Sequence, residues 1–147
     1  MVRRSKRGFT LVELIVVIAI IGVLAAIVVP TALHFVNESK IEAAESDCAT
    51  IVRTLETNIA RLAVGSTYTV DGDQVAQILN DYLGGDPQNG TKVVITDNGD
   101  RTYTVRAESP QEKDGVRIFS QKTVQAQNIL VVVSCTVTFS GGTWAYL

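Results

Sequence analysis

A chain of 147 residues is long enough for one domain with a modest core. Its 46% hydrophobic content, its two cysteines and the confinement of its apolar excess to one segment exclude a disordered chain, a disulfide-dense mini-protein and a multi-pass membrane protein. From Phe9 onward nine Lys/Arg face fifteen Asp/Glu, which argues against a general nucleic-acid binder, because phosphate contacts need a basic surface.

The chain opens with Arg3, Arg4, Lys6 and Arg7, followed by an apolar run over residues 9–29 in which 18 of 21 positions are apolar. A helix of 21 residues covers about 31 Å, close to the thickness of a bilayer core. Cations flanking such a span stay in the cytoplasm, which puts the remainder of the chain outside it. A signal peptide removed whole is the other reading, with Ala25 and Ala26 as its only small residues near the end. The run is too long for a signal core and ends in Val28-Val29-Pro30, so the helix is expected to stay. Glu13 stands out inside it. A lone acid in a spanning helix costs roughly 2.5–3.5 kcal/mol and marks either a function or hydration at the interface. Gly8-Phe9 is the second feature: cleavage there exposes a new α-amine four residues before Glu13, on the same helix face.

The stretch Lys6-Arg7-Gly8-Phe9-Thr10-Leu11-Val12-Glu13-Leu14, with the long apolar run that carries Gly22 and Pro30, resembles a bacterial type IV pilin precursor. The likeness covers residues 1 to about 60 and leaves the head unmatched. It implies that residues 1–8 are a basic leader cut after Gly8 by a prepilin peptidase, and that Phe9 is then N-methylated. It also implies that Phe9 and Glu13 direct assembly. A neighbouring subunit's Phe9 amine would meet the Glu13 carboxylate, a pairing whose main value is axial register. Residues 9–29 would then be a membrane anchor first and a filament core later.

After Pro30 the pattern turns amphipathic. Ile41, Ala44, Cys48, Val52, Leu55, Ile59 and Leu62 recur at spacings of three and four, which predicts a helix from Phe9 to Leu62 ended by Ala63-Val64-Gly65-Ser66. Only residues 30–62 of it can cover a head this small. Pro30 lacks an N–H and is expected to kink the helix, and Gly22 weakens it. The resemblance suggests that residues 22–30 lose their helical bonds in the filament. His34, the single histidine, has no ligand cluster and reads as an interface residue.

The head, residues 63–147, is expected to be a short helix and an antiparallel sheet, giving an α+β fold: a long N-terminal helix packed on a β-sheet head. Asp71-Gly72-Asp73-Gln74 opens the apolar pattern Val75, Ile78, Leu79, Tyr82, Leu83, and Gly84-Gly85 closes it, as in a capped helix. Strands are predicted at 92–96 and 102–107, joined by a turn at Asp97-Asn98-Gly99-Asp100, and at 116–120, 129–139 and 143–147. The 129–139 strand is expected to be the longest, with Ile129, Val131, Val133, Cys135, Val137 and Phe139 inward. Cys48 and Cys135 then share one core. A disulfide between them suits an oxidising space, and two separate buried thiols are the alternative. Neither Asp97, Asn98 and Asp100 nor Asp71 and Asp73 supply the six to eight oxygens calcium requires, so turn and cap roles are expected, with no metal and no cofactor.

One histidine and no nucleophile–base set argue against an enzyme. The expected function is a structural pilin, polymerised into a helical homo-oligomeric surface filament for adhesion, motility or DNA uptake. With no nucleotide loop of its own, it would rely on separate platform proteins and ATPases. It would sit in the inner membrane, leader in the cytoplasm and head outside, until extracted from lipid into an extracellular pilus. The alternative is a pseudopilin of a type II secretion or competence system. Lys113, Arg117 and Lys122 around Phe119 are the one candidate nucleic-acid patch, against which ordinary surface solvation is the plainer account.

Overall fold

The computed structural model describes residues 8–62, 68–84, 87–126 and 130–146. Residues 1–7 of the basic leader, the expected helix stop at 63–66, Gly85, Ile129 and Leu147 lie outside the described residues. Two compact units divide at Ser39 and Lys40.

Helix α1 (Leu11–Leu62) begins two residues later than its pattern suggested and is helical through Pro30. In the first unit every described residue is exposed, as a helix apolar on all faces must be when no neighbour covers it. In the second unit α1 buries Ala44, Cys48, Ile51, Val52, Leu55 and Ile59. The expected stripe is recovered with Ile51 added to it, while Ile41 and Leu62 sit at its half-buried ends.

The head adds β1 (Tyr68–Val70), α2 (Gly72–Tyr82), β2 (Lys92–Asp97), β3 (Thr102–Lys113), β4 (Val116–Gln125), β5 (Leu130–Val132), β6 (Cys135–Ser140) and β7 (Thr143–Tyr146). Five strands form an antiparallel sheet in the order β4-β3-β2-β6-β7, and β1 pairs with β5 in parallel as a separate two-stranded sheet. The α1 stripe, the inner face of the sheet and the apolar side of α2 form one core cluster. It includes Tyr103, Val93, Ile95, Val105, Val137, Phe139 and Trp144.

Helix α2 starts where its cap does: the Asp71 carboxylate accepts the Gln74 N–H at 3.0 Å. It ends with the Leu83 N–H on the Leu79 carbonyl at 3.1 Å. Asn80 holds β7 to it, donating to the Trp144 carbonyl at 3.2 Å and accepting the Trp144 N–H at 2.9 Å. Gly72 is buried at the first turn, where a Cβ would overlap the Tyr146 ring. Gly72→Ala is therefore expected to destabilise the head by about 1–3 kcal/mol. Urea unfolding followed by Trp144 fluorescence measures this. In a Tyr146→Ala background most of the penalty should vanish, because the clash is with that ring.

Two expectations are corrected. The 129–139 strand is not one strand: it breaks at Val133-Ser134, and the longest strand is β3, with 12 residues. The break is a change of sheet. Val133 donates its N–H to the Val70 carbonyl at 2.9 Å beside β1, whereas the Ser134 hydroxyl accepts the Asp97 N–H at 2.9 Å and admits the chain to the five-stranded sheet. Alternation changes phase there, so Val131 and Val133 are half exposed while Val132, Cys135, Val137 and Phe139 are buried. β3 and β4 also run further than expected, to Lys113 and Gln125, past a register shift between Glu108 and Glu112. The Asn-Gly turn lies between β2 and β3, as expected. The Asn98 N–H bonds the Thr102 carbonyl at 3.0 Å around Gly99, Asp100 and Arg101, with Gly99 at φ 77° and Arg101 at φ 64°.

Candidate functional site

Gly8, Phe9 and Thr10 precede α1 and are exposed, Phe9 to 85%. A Cβ on Gly8 would meet nothing within 4 Å, and the bond between Gly8 and Phe9 lies in open, non-helical chain.

Thr10 and Glu13 close the start of the helix reciprocally. Glu13 Oε2 accepts the Thr10 N–H at 2.8 Å and the Thr10 hydroxyl at 2.8 Å, and the Glu13 N–H reaches the Thr10 Oγ1 at 3.3 Å. This is a capping box, which satisfies donors that the first turn leaves without partners. The spacing Thr10-x-x-Glu13 is its sequence signal, which the charge of Glu13 inside an apolar span overshadows. All three bonds use Oε2 or Thr10 atoms, so among the described residues Oε1 takes no hydrogen bond. The carboxylate can hold the cap and still offer an oxygen to a cation. Cleavage after Gly8 would leave the Thr10 amide, and so the cap, in place.

Beyond the cap, an 18-residue window of α1 reaches a mean hydropathy of 3.2 with none of it buried, which makes the helix long and apolar enough to cross a membrane by length and composition. Gly22 faces open space. One residue past Pro30, which has no N–H to donate, the Thr31 hydroxyl donates to the Ile27 carbonyl at 3.0 Å. Loss of helix over residues 22–30 was expected only of the filament, and the single chain keeps it helical. His34 Nδ1 lies 3.6 Å from Glu38 Oε1, both side chains being exposed.

The other candidates resolve into structural roles. Cys48 and Cys135 are free, buried thiols of one cluster. Cys48 Sγ approaches the Ile118 carbonyl at 3.9 Å. Burial pushes the Cys48 thiol up and the Cys135 thiol up to about 11, so both are protonated and unreactive at neutral pH. Of the basic stretch, Lys113 bonds Glu45 at 3.2 Å and Lys122 bonds Glu56 at 2.6 Å. The ring of Phe119 lies under Arg106, 4.0 Å from its guanidinium. Two of the three cations are thus already neutralised by acids of α1, and the patch lacks the charge a phosphate backbone needs. Asp97 and Asp100 are turn residues: Asp97 Oδ1 accepts the Gly99 N–H at 2.9 Å and Asp100 Oδ1 accepts the Thr102 N–H at 3.1 Å. The Thr102 hydroxyl holds the Asp100 carboxyl below the usual carboxylate range. Among the described residues no group of three or more His, Cys, Asp or Glu is placed to hold a metal ion.

Comparison with known proteins agrees with this geometry. Residues 3–29 match the family model described as the prokaryotic N-terminal methylation motif. The chain is 41% identical over 56 residues to the type II secretion system core protein G of Pseudomonas aeruginosa, covering 38% of this chain and 39% of that protein. It is 34% identical over 67 residues to the prepilin peptidase-dependent protein A of Clostridium perfringens, covering 46% and 48% respectively. With the type IV major fimbrial protein FimA of Dichelobacter nodosus it is 28% identical over 149 residues, 95% of this chain and 86% of that protein. The chain therefore spans less than half the length of the first two relatives and most of the third. No solved structure matches.

Proposed function

We propose that this homologue of type IV pilins and fimbrial proteins, which carries the N-terminal methylation motif, is the structural subunit of a type IV pilus. A prepilin peptidase cuts between Gly8 and Phe9, Phe9 is N-methylated, and residues 9–29 hold the chain in the inner membrane with the head outside. Platform proteins and ATPases then move it into an extracellular helical filament that serves adhesion, motility or DNA uptake. The observation that carries this reading is the N-terminal methylation motif over residues 3–29, set on a helix long and apolar enough to cross a membrane with a capped acid at its start. The cap alone would serve a passive anchor, but Glu13 keeps a second carboxylate oxygen beyond the cap, which a filament core can use to pair with a neighbouring amine.

Assembly burial comes from lateral packing of many such helices. Lipid is as apolar as the helix, so packing and polar contacts, rather than escape from water, decide association there. Residues 30–62 tie the anchor to the head, and the role is structural rather than catalytic. A pseudopilin of a type II secretion system is the second reading, supported by the 41% identity to core protein G. That match covers 56 residues, where the FimA match covers 95% of this chain, and the pilin reading is the better supported.

Mass spectrometry of filaments sheared from the cell surface tests the proposal. The expected first residue is N-methylated Phe9. Replacing Gly8 by a bulky residue should leave the precursor uncut in the membrane. An intact Met1 in filaments would sink the processing step, and processed chain in the membrane with no shed filaments would move the assignment to the pseudopilin.

A further inference from the structure

The sequence contains Asn-Gly twice, at Asn89-Gly90 and Asn98-Gly99. Both asparagines are exposed, yet the two glycine amides meet different acceptors. The Gly90 N–H donates to the Phe139 carbonyl at 2.9 Å, and the Phe139 N–H returns to the Thr91 carbonyl at 2.9 Å. Asn89 Oδ1 accepts the Gly141 N–H at 3.2 Å. That segment is pinned to β6 beside buried Thr91 and Phe139. The Gly99 N–H instead donates to a carboxylate, Asp97 Oδ1, at 2.9 Å. Asn98 Nδ2 donates to Thr102 Oγ1 at 2.9 Å and Thr104 Oγ1 at 3.2 Å, which keeps its amide at the tip of the hairpin. A Cβ on Gly99 would meet nothing within 4 Å, so the space beside its Cα is open.

We propose that Asn98 is a self-modification site, where Asp97 acts as the base that drives conversion of the asparagine to aspartate or isoaspartate. The Gly99 nitrogen attacks Asn98 Cγ, forming the N–Cγ bond of a five-membered imide as the Cγ–Nδ2 bond breaks. The Gly99 proton passes through the Asp97 carboxylate to the departing nitrogen, which leaves as ammonia. Water then adds to one of the two imide carbonyls, giving a carboxylate on the normal or the isomerised backbone. No oxidation or reduction is involved, and water is the single co-reactant. A carbonyl acceptor cannot take the proton, so Asn89-Gly90 should convert more slowly although it has the same dipeptide. Asp97 touches the reacting nitrogen and lies within the reach general-base catalysis requires. The product places a new negative charge between Asp97 and Asp100 at the turn between β2 and β3. The site belongs to the head alone and does not depend on the chain's assembling into a filament.

Peptide mapping by mass spectrometry, with isoaspartate detection, tests this on the full-length chain aged in detergent micelles at neutral pH. Conversion at Asn98 is expected to be about tenfold or more faster than at Asn89, and Asp97→Ser, which keeps a turn acceptor without the base, should slow it about tenfold. Circular dichroism and an unchanged rate at Asn89 would show that the variant is folded. In urea, where both acceptors are lost, the two sites should converge. Equal rates at Asn98 and Asn89 in the folded chain, a persistent difference in urea, or unaltered Asn98 conversion in both Asp97→Ser and Asp97→Asn would each overturn the proposal.

Discussion

Leu55→Ala is expected to destabilise the head by about 2–5 kcal/mol, a large part of the roughly 5–15 kcal/mol available to a domain. Leu55 is 0% exposed and sits in the middle of the α1 stripe, flanked by Ile51, Val52 and Ile59 in the core cluster. Truncation removes buried methyl groups and leaves a space between helix and sheet, and the sheet cannot close it. Its inner positions Val93, Ile95, Val105 and Val137 are fixed in register by backbone pairing on both sides. The chain's one tryptophan, Trp144, is 4% exposed and belongs to the same cluster, so its emission reports the transition directly. Leu55→Met should cost less than about 1.5 kcal/mol, since it nearly conserves volume. Glu56→Ala, one residue on, removes only the partner of Lys122 and should cost no more than about 1 kcal/mol, as partly exposed ion pairs do. A midpoint for Leu55→Ala equal to that of Glu56→Ala would mean that α1 does not share the core of the sheet.

That contrast marks where the sequence was legible. The stripe on α1 was readable because one face of a long helix must be apolar when it covers a sheet, and the same periodicity gave α2 with its Asp71 cap. The inward set of β2, β3 and β6 followed from alternation, with Val93, Ile95, Tyr103, Val105 and Val137 all buried. The change of sheet at Val133-Ser134 was not readable. Apolar residues run through it without a turn signal, and what breaks the strand is a hydrogen bond to Val70, more than sixty positions earlier. β1 has three residues, too few for a period to show. Tertiary contacts likewise carried β3 into Glu112 and Lys113, polar residues that local propensity would have left in a loop. The pairing of Lys113 and Lys122 with Glu45 and Glu56 joins residues far apart in sequence. Read locally, those cations offered only surface solvation or a binding patch, with no sign of their acidic partners. At the N-terminus the error ran the other way: the Thr10–Glu13 cap was local and legible, and a functional reading of the acid hid it.

Glu13 therefore has two roles to separate, and Glu13→Gln separates them. Glutamine still completes a capping box with Thr10, so the helix start is kept while the charge is lost. In an assembled core, the Phe9 amine of a neighbouring subunit would approach the carboxylate oxygen Oε1, which the cap leaves unused. Removing one member of such a pair in an apolar setting strands the other charge at about 3–5 kcal/mol. Repeated at every subunit, that penalty should reduce sheared filament to below detection, while the processed chain accumulates in the membrane. Thr10→Val makes the opposite cut. It removes the hydroxyl but leaves the charge, and should cost the helix start about 1 kcal/mol while filaments still form in reduced amount. Sheared and membrane fractions compared by immunoblot, with N-terminal mass spectrometry to show that cleavage at Gly8 is unaffected, read both variants. Wild-type levels of filament from Glu13→Gln would reduce Glu13 to a helix cap. Failure of both variants alike would mean that assembly requires the ordered first turn rather than the charge.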